Sequence, residues 1–406
     1  SMVEVSNTLG AYTEDITIGY YAASAGMAIA YPIVPKVLNS FSSKSLLLVD
    51  LTLQFLLSWI CARSANTELL ITFSFVIGFL KGFLMLWLIR RIKFIFSPGD
   101  VRSEFYAYFY PLVFSGGQLS MIVTALLAYH YDWKYMYYFM MMMLILAILF
   151  VIILLRHDRP SKGVPLKELH LREMVIISTG LLMLIYVITY GKISDWMASP
   201  KICVYIVIAP LLVALFLWEQ FNSPKPYVSL KPMFQWKAIL GYFYMILVMF
   251  FSTSTTLLSN YMTSILRVDN VHNYTLYIYL LPGYLLGAFI CFWWFRWQRW
   301  RFRFLIAGGM ACFLVFFGML YFTISPDSTY EQLFVPLFFR GLGMMVLLIA
   351  FGLFVVEDLN PKLLIYNAFF LITFRAVLAP VMASAFYSNM LYRLQQKYMV
   401  QLSENM

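Results

Sequence analysis

Charge is what this sequence has least of. Charged residues make up 12% of the chain and hydrophobic residues 62%, with a mean hydropathy of +0.79. A soluble domain carries roughly twice that share of charge, so a soluble enzyme or binding module is excluded and a polytopic, all-α membrane protein is expected. Cysteine is equally sparse. Cys61, Cys203, Cys291 and Cys312 are scattered on or beside apolar stretches with no Cys-x-x-Cys spacing, which argues against a disulfide framework or a zinc site. His130, His157, His170 and His272 sit in different loops, so no metal-ligating cluster is expected. No Gly-rich phosphate loop and no Ser/His/Asp arrangement can be found. No cofactor, no catalytic residues, no enzyme activity and no direct use of ATP are therefore expected. Residues 1–15 lack a basic segment followed by an apolar core, so no cleavable signal peptide is expected there.

Long apolar runs are what the chain does have. Twelve can be counted, at 16–38, 45–60, 68–89, 105–128, 135–155, 174–190, 202–218, 238–266, 274–294, 304–324, 333–356 and 363–386. A helix of about 20 residues crosses a bilayer core, and backbone in lipid must satisfy its own hydrogen bonds, so each run reads as a spanning helix. Of 29 Lys and Arg residues, 19 fall in one alternating set of loops, from Lys36 to Lys362. Seven fall in the other set or the tail: Arg63, Lys134, Lys192, Lys201, Arg267, Arg393 and Lys397. The richer set is cytoplasmic by the positive-inside rule. Residues 1–15 then lie outside, an arrangement that one further span upstream would explain. The net charge of +10 suits loops facing anionic lipid. Trp293, Trp294, Trp297 and Trp300 alternate with Arg296, Arg299, Arg301 and Arg303; this is an interface belt, and no nucleic-acid partner is expected.

Three basic residues lie inside runs: Lys81, Arg340 and Arg375. A cation facing lipid at mid-depth costs at least ~2.5 kcal/mol, so each should face protein or a watery cavity. Lys81 lies about 20 Å along its helix at 1.5 Å per residue. Each of the three reads either as a cavity charge for an anionic group or as a structural partner of a carboxylate or a backbone carbonyl. Asp50 is the one acid well inside a run. It reads as an acid stabilised near a helix N-terminus, or else as a partner of Lys81 or a proton carrier. The segments Phe79-Leu80-Lys81-Gly82 and Phe338-Phe339-Arg340-Gly341 repeat a basic residue followed by Gly, entered from the same side. That suggests a parallel two-fold repeat of bundles. Charge with Pro160, Gly163 and Pro165, then Pro224, Pro226 and Pro232, marks two breaks. The expected plan is a bundle at 1–160, a linker with two extra spans at 161–230 and a second bundle at 231–406.

Collinear motifs along almost the whole chain make it resemble the 14-span drug:proton antiporter branch of the major facilitator superfamily. Ser1 to Gly10 resembles the end of that branch's first span. Tyr190-Gly191-Lys192-Ile193-Ser194-Asp195-Trp196 resembles the segment after its seventh. Trp133 to Phe139, Leu281-Pro282-Gly283 and Phe374-Arg375 resemble parts of its sixth, tenth and thirteenth. The resemblance implies a two-bundle fold with about 12 spans present, the first and last spans of the family plan being absent from these 406 residues; a genuine 12-span carrier is the other possibility. There are departures. The cytoplasmic Asp and Arg of the family loop are missing from Pro35-Lys36-Val37-Leu38-Asn39-Ser40-Phe41-Ser42, Lys81 stands where Gln is usual, and the Gly-Pro antiporter motif falls at Ser120-Met121.

In such a fold Gln118, Asn260, Tyr261, Tyr284 and Asn367 would line the central cavity, or serve as helix–helix glue. The resemblance implies a secondary active transporter in a bacterial inner membrane, exporting an amphipathic small molecule by alternating access, with a proton as coupling ion. Its surroundings would be membrane lipid and, as in some relatives, a periplasmic adaptor. The alternatives are a degenerate, non-transporting binding or assembly protein and a polytopic membrane enzyme. Asn273-Tyr274-Thr275 is a glycosylation sequon by pattern.

Overall fold

Two helix pairs are pressed together so closely that only glycine fits between them. The computed structural model describes residues 13–64, 66–97, 99, 101–156, 169–297, 301–325, 327–360 and 363–404. The segment Ser1–Gly10, most of the charged linker at 157–168, Arg299 with Trp300, and Lys362 lie outside the described residues. The rest is helical, without a strand among the described residues. The first part comprises α1 (Thr13–Ala30), the short α2 (Val34–Ser40), α3 (Ser43–Arg63), α4 (Thr67–Phe96), α5 (Arg102–His130) and α6 (Lys134–Leu154). A pair follows, α7 (Leu171–Tyr190) and α8 (Pro200–Asn222). The last part comprises α9 (Trp236–Ser252), α10 (Thr255–Ser264), α11 (Asn270–Thr275), α12 (Leu280–Trp297), α13 (Phe302–Thr323), α14 (Phe334–Val356), α15 (Leu364–Ile372) and α16 (Ala379–Glu404).

Eleven helices among the described residues are long and apolar enough to cross a membrane, against twelve apolar runs in the sequence. The difference is the first run. It is split by a turn at Tyr31-Pro32-Ile33 into α1 and the short α2, and α1, 18 residues, carries Glu14 and Asp15 in its first turn, which with Tyr20 and Tyr21 dilute its apolar character.

The closest helix pairs are α1 with α4 and α12 with α14. A Cβ on Gly78 of α4 would run into the Ala23 carbonyl of α1, and one on Gly26 into the Phe75 carbonyl. In the second pair a Cβ on Gly341 would meet the Leu280 carbonyl, and one on Gly283 the Phe338 carbonyl. Lipid gives no hydrophobic reason for helices to associate, so dispersion at such small-residue contacts supplies it. The two basic-plus-Gly segments therefore occupy comparable places, each on a helix held against a neighbour through glycine.

The core sits around α14. Of its most apolar stretch 83% is buried, against 17–44% in the other ten spanning helices, because α9, α12, α13 and α5 all pack on it. Contact between the two bundles runs through α5 against α12 and α14, and through α1 against the α15–α16 region. The Tyr21 hydroxyl donates to the Pro380 carbonyl at 3.4 Å, and Arg102 Nη1 donates to the Val356 carbonyl at 2.6 Å. The α7–α8 pair packs on α1 and α16.

These contacts predict the response to added bulk. Gly78→Leu or Gly341→Leu should destabilise the protein by about 3 kcal/mol, the upper end for overpacking, since the colliding atoms are backbone. A Cβ at Gly116 meets nothing within 4 Å, so Gly116→Ala should be neutral or stabilising by up to about 1 kcal/mol. Thermal unfolding in detergent checks both, and equal melting points for Gly341→Leu and the parent protein would refute the close approach.

Candidate functional site

Three spans of the second bundle are interrupted, and the interruptions surround its two arginines. The α9–α10 span breaks at Thr253 and Ser254. The α11–α12 span changes to a tight 3-10 turn at Leu276–Tyr279. Between α15 and α16 lies a π-helical turn, Thr373–Leu378, that carries Arg375. Breaks without proline leave carbonyl groups short of donors, and interrupted spans and π-turns are where membrane carriers and enzymes place ligand groups.

Arg340 uses one of those carbonyls. Its Nη2 donates to the Ser252 carbonyl at 2.7 Å, at the point where α9 ends. The residue is only 6% exposed, and its Nε and Nη1 have no hydrogen-bond partner among the described residues. The hydroxyls of Ser252 and Ser254 are likewise buried without partners. Tyr277 and Tyr284 stand within electrostatic reach of the guanidinium, and no carboxylate among the described residues pairs with it. The Tyr284 hydroxyl reaches the Met344 sulfur at 3.8 Å.

Arg375 reaches across to the first bundle. Its guanidinium lies 5.8 Å from the centre of the Tyr110 ring and 5.9 Å from that of Phe114, both on α5, a cation–π geometry. Its Nη1 is buried without a partner. Tyr106, Tyr110 and Phe114 recur every four residues and form one aromatic row, with centroids 5.3 and 6.1 Å apart. Phe114 in turn meets Tyr284 of α12 edge-on at 6.1 Å. Tyr20 of α1 and Tyr31, in the turn after it, are within electrostatic reach of Arg375.

Lys81 lines a cavity of about 210 Å³ between α1, α4 and α6, together with Asp15, Tyr20, Ser74 and Tyr137. The cavity extends toward Thr67 and Trp133, on the face opposite Arg90, Arg91 and Arg102. On the basic face the bundles are sealed by a buried apolar cluster that includes Ile29, Val34, Phe83, Val355, Phe369 and Phe370. Tyr20 lines the Lys81 cavity and is also within electrostatic reach of Arg375.

The remaining predicted positions separate. Asp50 is 4% exposed on α3; its Oδ2 accepts from Gln54 Nε2 at 3.1 Å, and its Oδ1 has no partner. No ion pair joins it to Lys81 among the described residues. Gln118 lies half-buried on α5 with its Nε2 unpartnered. Asn260 is exposed on α10. The Tyr261 hydroxyl donates to the Ser325 carbonyl at 2.6 Å, and Asn367 Oδ1 accepts from the Tyr242 hydroxyl, so both tie elements of the second bundle together. Asn273 is buried and its amide donates to the Ser259 hydroxyl at 2.7 Å, which removes it as a glycosylation acceptor. The aromatic row on α5 and the serines at the α9 break were missed in the sequence reading; the four-residue spacing of Tyr106, Tyr110 and Phe114 was the available signal.

Two bundles meeting along α5–α12 and α1–α15, with gapped helices around buried cations, are a carrier's architecture. The profile of the Major Facilitator Superfamily matches residues 1–382. The chain belongs to that superfamily. Facilitators are transporters, not enzymes, and this one is a multi-pass membrane protein. A curated relative, the probable multidrug resistance protein EmrY of Escherichia coli strain K12, is 23% identical over 228 residues. That alignment covers 56% of this chain and 44% of EmrY, so the chain matches less than half of that relative's length. Among solved structures, an auto-inhibited peptide transporter of the POT family superposes with a TM-score of 0.55 at 9% identity, covering 96% of this chain and 83% of that one. At that identity the likeness speaks for the facilitator fold alone.

A facilitator arginine kept for a ligand should be dispensable for stability. Arg340→Met should not lower the unfolding temperature in detergent, because relief of an uncompensated buried charge offsets the lost bond to the Ser252 carbonyl, each worth about 1.5–3 kcal/mol. A drop equivalent to more than about 3 kcal/mol would make Arg340 a structural pin for the helix break.

Proposed function

We propose that the protein is a secondary active exporter of amphipathic small molecules, of the drug-efflux kind, working by alternating access in a bacterial inner membrane and coupled to protons. The observation that carries this reading is the placement of the unpaired cations. Lys81 lines a cavity within the first bundle, and Arg375 of the second bundle faces the rings of α5 in the first, while an apolar cluster closes the two bundles on the basic face. Rocking of the bundles about the α5–α12 and α1–α15 contacts would reverse that access. Similarity to a protein described as a probable multidrug resistance protein supports the substrate class, and its bacterial source supports the membrane. The units at 1–160, 161–230 and 231–406 then serve as the first rocking bundle, an accessory span pair and the second bundle. Asp50 is the proton-carrying candidate in this reading, being a buried carboxyl that no cation neutralises.

Ser120-Met121 in place of the Gly-Pro antiporter motif favours a second reading, a carrier-like membrane protein that binds or assembles without transport. Reconstituted proteoliposomes separate the two. Under an imposed pH gradient, accumulation of an amphipathic dye above the protein-free control is expected, and the Lys81→Met/Arg340→Met double variant should abolish it while still inserting into the membrane. Undiminished flux in that variant would sink the assignment of the site. No flux in the parent protein would favour the second reading.

A further inference from the structure

Arg375 and Arg340 stand at the two ends of a single aromatic strip. Arg375 lies over Tyr110 and Phe114, Phe114 meets Tyr284, and Tyr284 is within electrostatic reach of Arg340. Between them the two guanidiniums keep three buried nitrogens without partners: Nη1 of Arg375, and Nε and Nη1 of Arg340. Helices α9 to α15 contain no Asp or Glu at all. Asp50 belongs to α3 and is engaged by Gln54. No acid among the described residues therefore neutralises the strip, although a buried, unpaired cation is unfavourable in a membrane.

We propose that the cargo is an amphipathic organic anion. Its flat apolar body lies along Tyr110, Phe114 and Tyr284, and its carboxylate or sulfonate takes the unused N–H groups of Arg375, with Arg340 as a second anion site at the far end. This rests on the transport reading above and narrows its substrate class. Ring faces and edges favour a planar, aromatic or fused-ring body. A planar guanidinium offers a carboxylate or sulfonate two parallel donors. A cationic cargo is selected against: two like charges about 6 Å apart at a protein-like dielectric would weaken binding roughly a hundredfold. Both arginines belong to the second bundle and Tyr110 and Phe114 to α5 of the first, so rocking of the bundles would open and close the strip against its two cations.

The test uses two probes with the same body and opposite permanent charge, pyrene-1-sulfonate and (1-pyrenylmethyl)trimethylammonium. Their binding to the purified protein is followed by fluorescence anisotropy in chloride-free gluconate buffer and again in chloride. Their movement is followed in proteoliposomes. The sulfonate should bind saturably in both buffers, and at least about tenfold tighter than the ammonium twin. Arg375→Gln should weaken sulfonate binding roughly thirtyfold or more, and Arg340→Met to a lesser degree, while Arg375→Lys retains part of it. Size exclusion and unfolding temperature establish that each variant is folded; if Arg375→Gln fails to fold, the Arg375→Lys and Arg340→Met affinities decide. Equal or tighter binding of the ammonium twin, or unchanged sulfonate affinity in the folded variants, overturns the inference. So does a rise in unfolding temperature with chloride and no sulfonate binding, which would mean an inorganic-anion site only. Transport of the ammonium twin without the sulfonate would overturn this inference and leave the transport reading standing. Arginine-dependent binding of the sulfonate with no movement of either probe would do the reverse.

Discussion

A guanidinium sealed inside a helix bundle must recover from protein what water gave it. Arg340 recovers part of this from the Ser252 carbonyl, a group left available because α9 stops there. A hydrogen bond to a charged group contributes about 1.5–3 kcal/mol, comparable to the lowest cost of placing arginine at mid-membrane. One such bond therefore brings the site near balance and leaves two N–H groups unused. The helix break and the arginine explain each other: the break exposes a carbonyl that needs a donor, and the arginine needs an acceptor that is not a carboxylate. Arg375 meets the same requirement differently, with ring faces on α5 in place of a carbonyl.

The glycine contacts set what can move. Where α4 rests on α1 and α14 on α12, backbone meets backbone, and sliding by even one residue would drive side chains into carbonyl groups. Each bundle therefore behaves as a stiff unit. Contact between bundles has a different character. It consists of aromatic edges, an apolar plug on the basic face and a few long-range bonds such as Tyr21 to the Pro380 carbonyl. Rings can tilt against each other with small losses, since no single geometry dominates aromatic pairing. Stiffness within bundles and tolerance between them is the mechanical condition for rocking, and it arises from where small residues and aromatic residues fall in the sequence.

Much of the plan was legible in the sequence because a membrane converts composition into geometry. The runs gave the spans, the Lys and Arg asymmetry gave a face, and cations inside runs had to turn inward. The echo of Lys81-Gly82 and Arg340-Gly341 was readable too, and the glycine contacts supply its reason. The interruptions were not readable. Nothing in Phe251-Ser252-Thr253-Ser254 breaks a helix by propensity alone, and no glycine or proline marks the π-turn at Thr373–Leu378. The roles of Tyr261 and Asn367 were also hidden, because a polar residue in an apolar run looks the same whether its partner is a ligand or a backbone carbonyl 64 residues away. Tyr110 and Phe114 were lost among 29 tyrosines and 37 phenylalanines; in so aromatic a chain only position distinguishes a ligand surface from lipid-facing filler.

The separation of Asp50 from the three cations carries the last step. Had the acid paired with Lys81, each would have cancelled the other, and neither proton nor anion would have changed the local charge. Asp50 instead lies on α3 in line with Gln54 and Ser58, both buried, and Ser58 donates to the Gln54 carbonyl at 2.6 Å. A proton on this carboxyl would act on the packing of α3 against α4 and α6, not on a salt bridge. Since α4 carries Lys81 and is locked to α1 through Gly26 and Gly78, any shift of α3 would be passed to the cavity that Lys81 lines. If the proposed coupling runs through Asp50, it is conformational, transmitted through a stiff helix pair, and needs no direct contact between the proton's site and the cargo's. That arrangement is compatible with the loss of the Asp and Arg of the family's cytoplasmic loop, because the helices themselves would carry the signal.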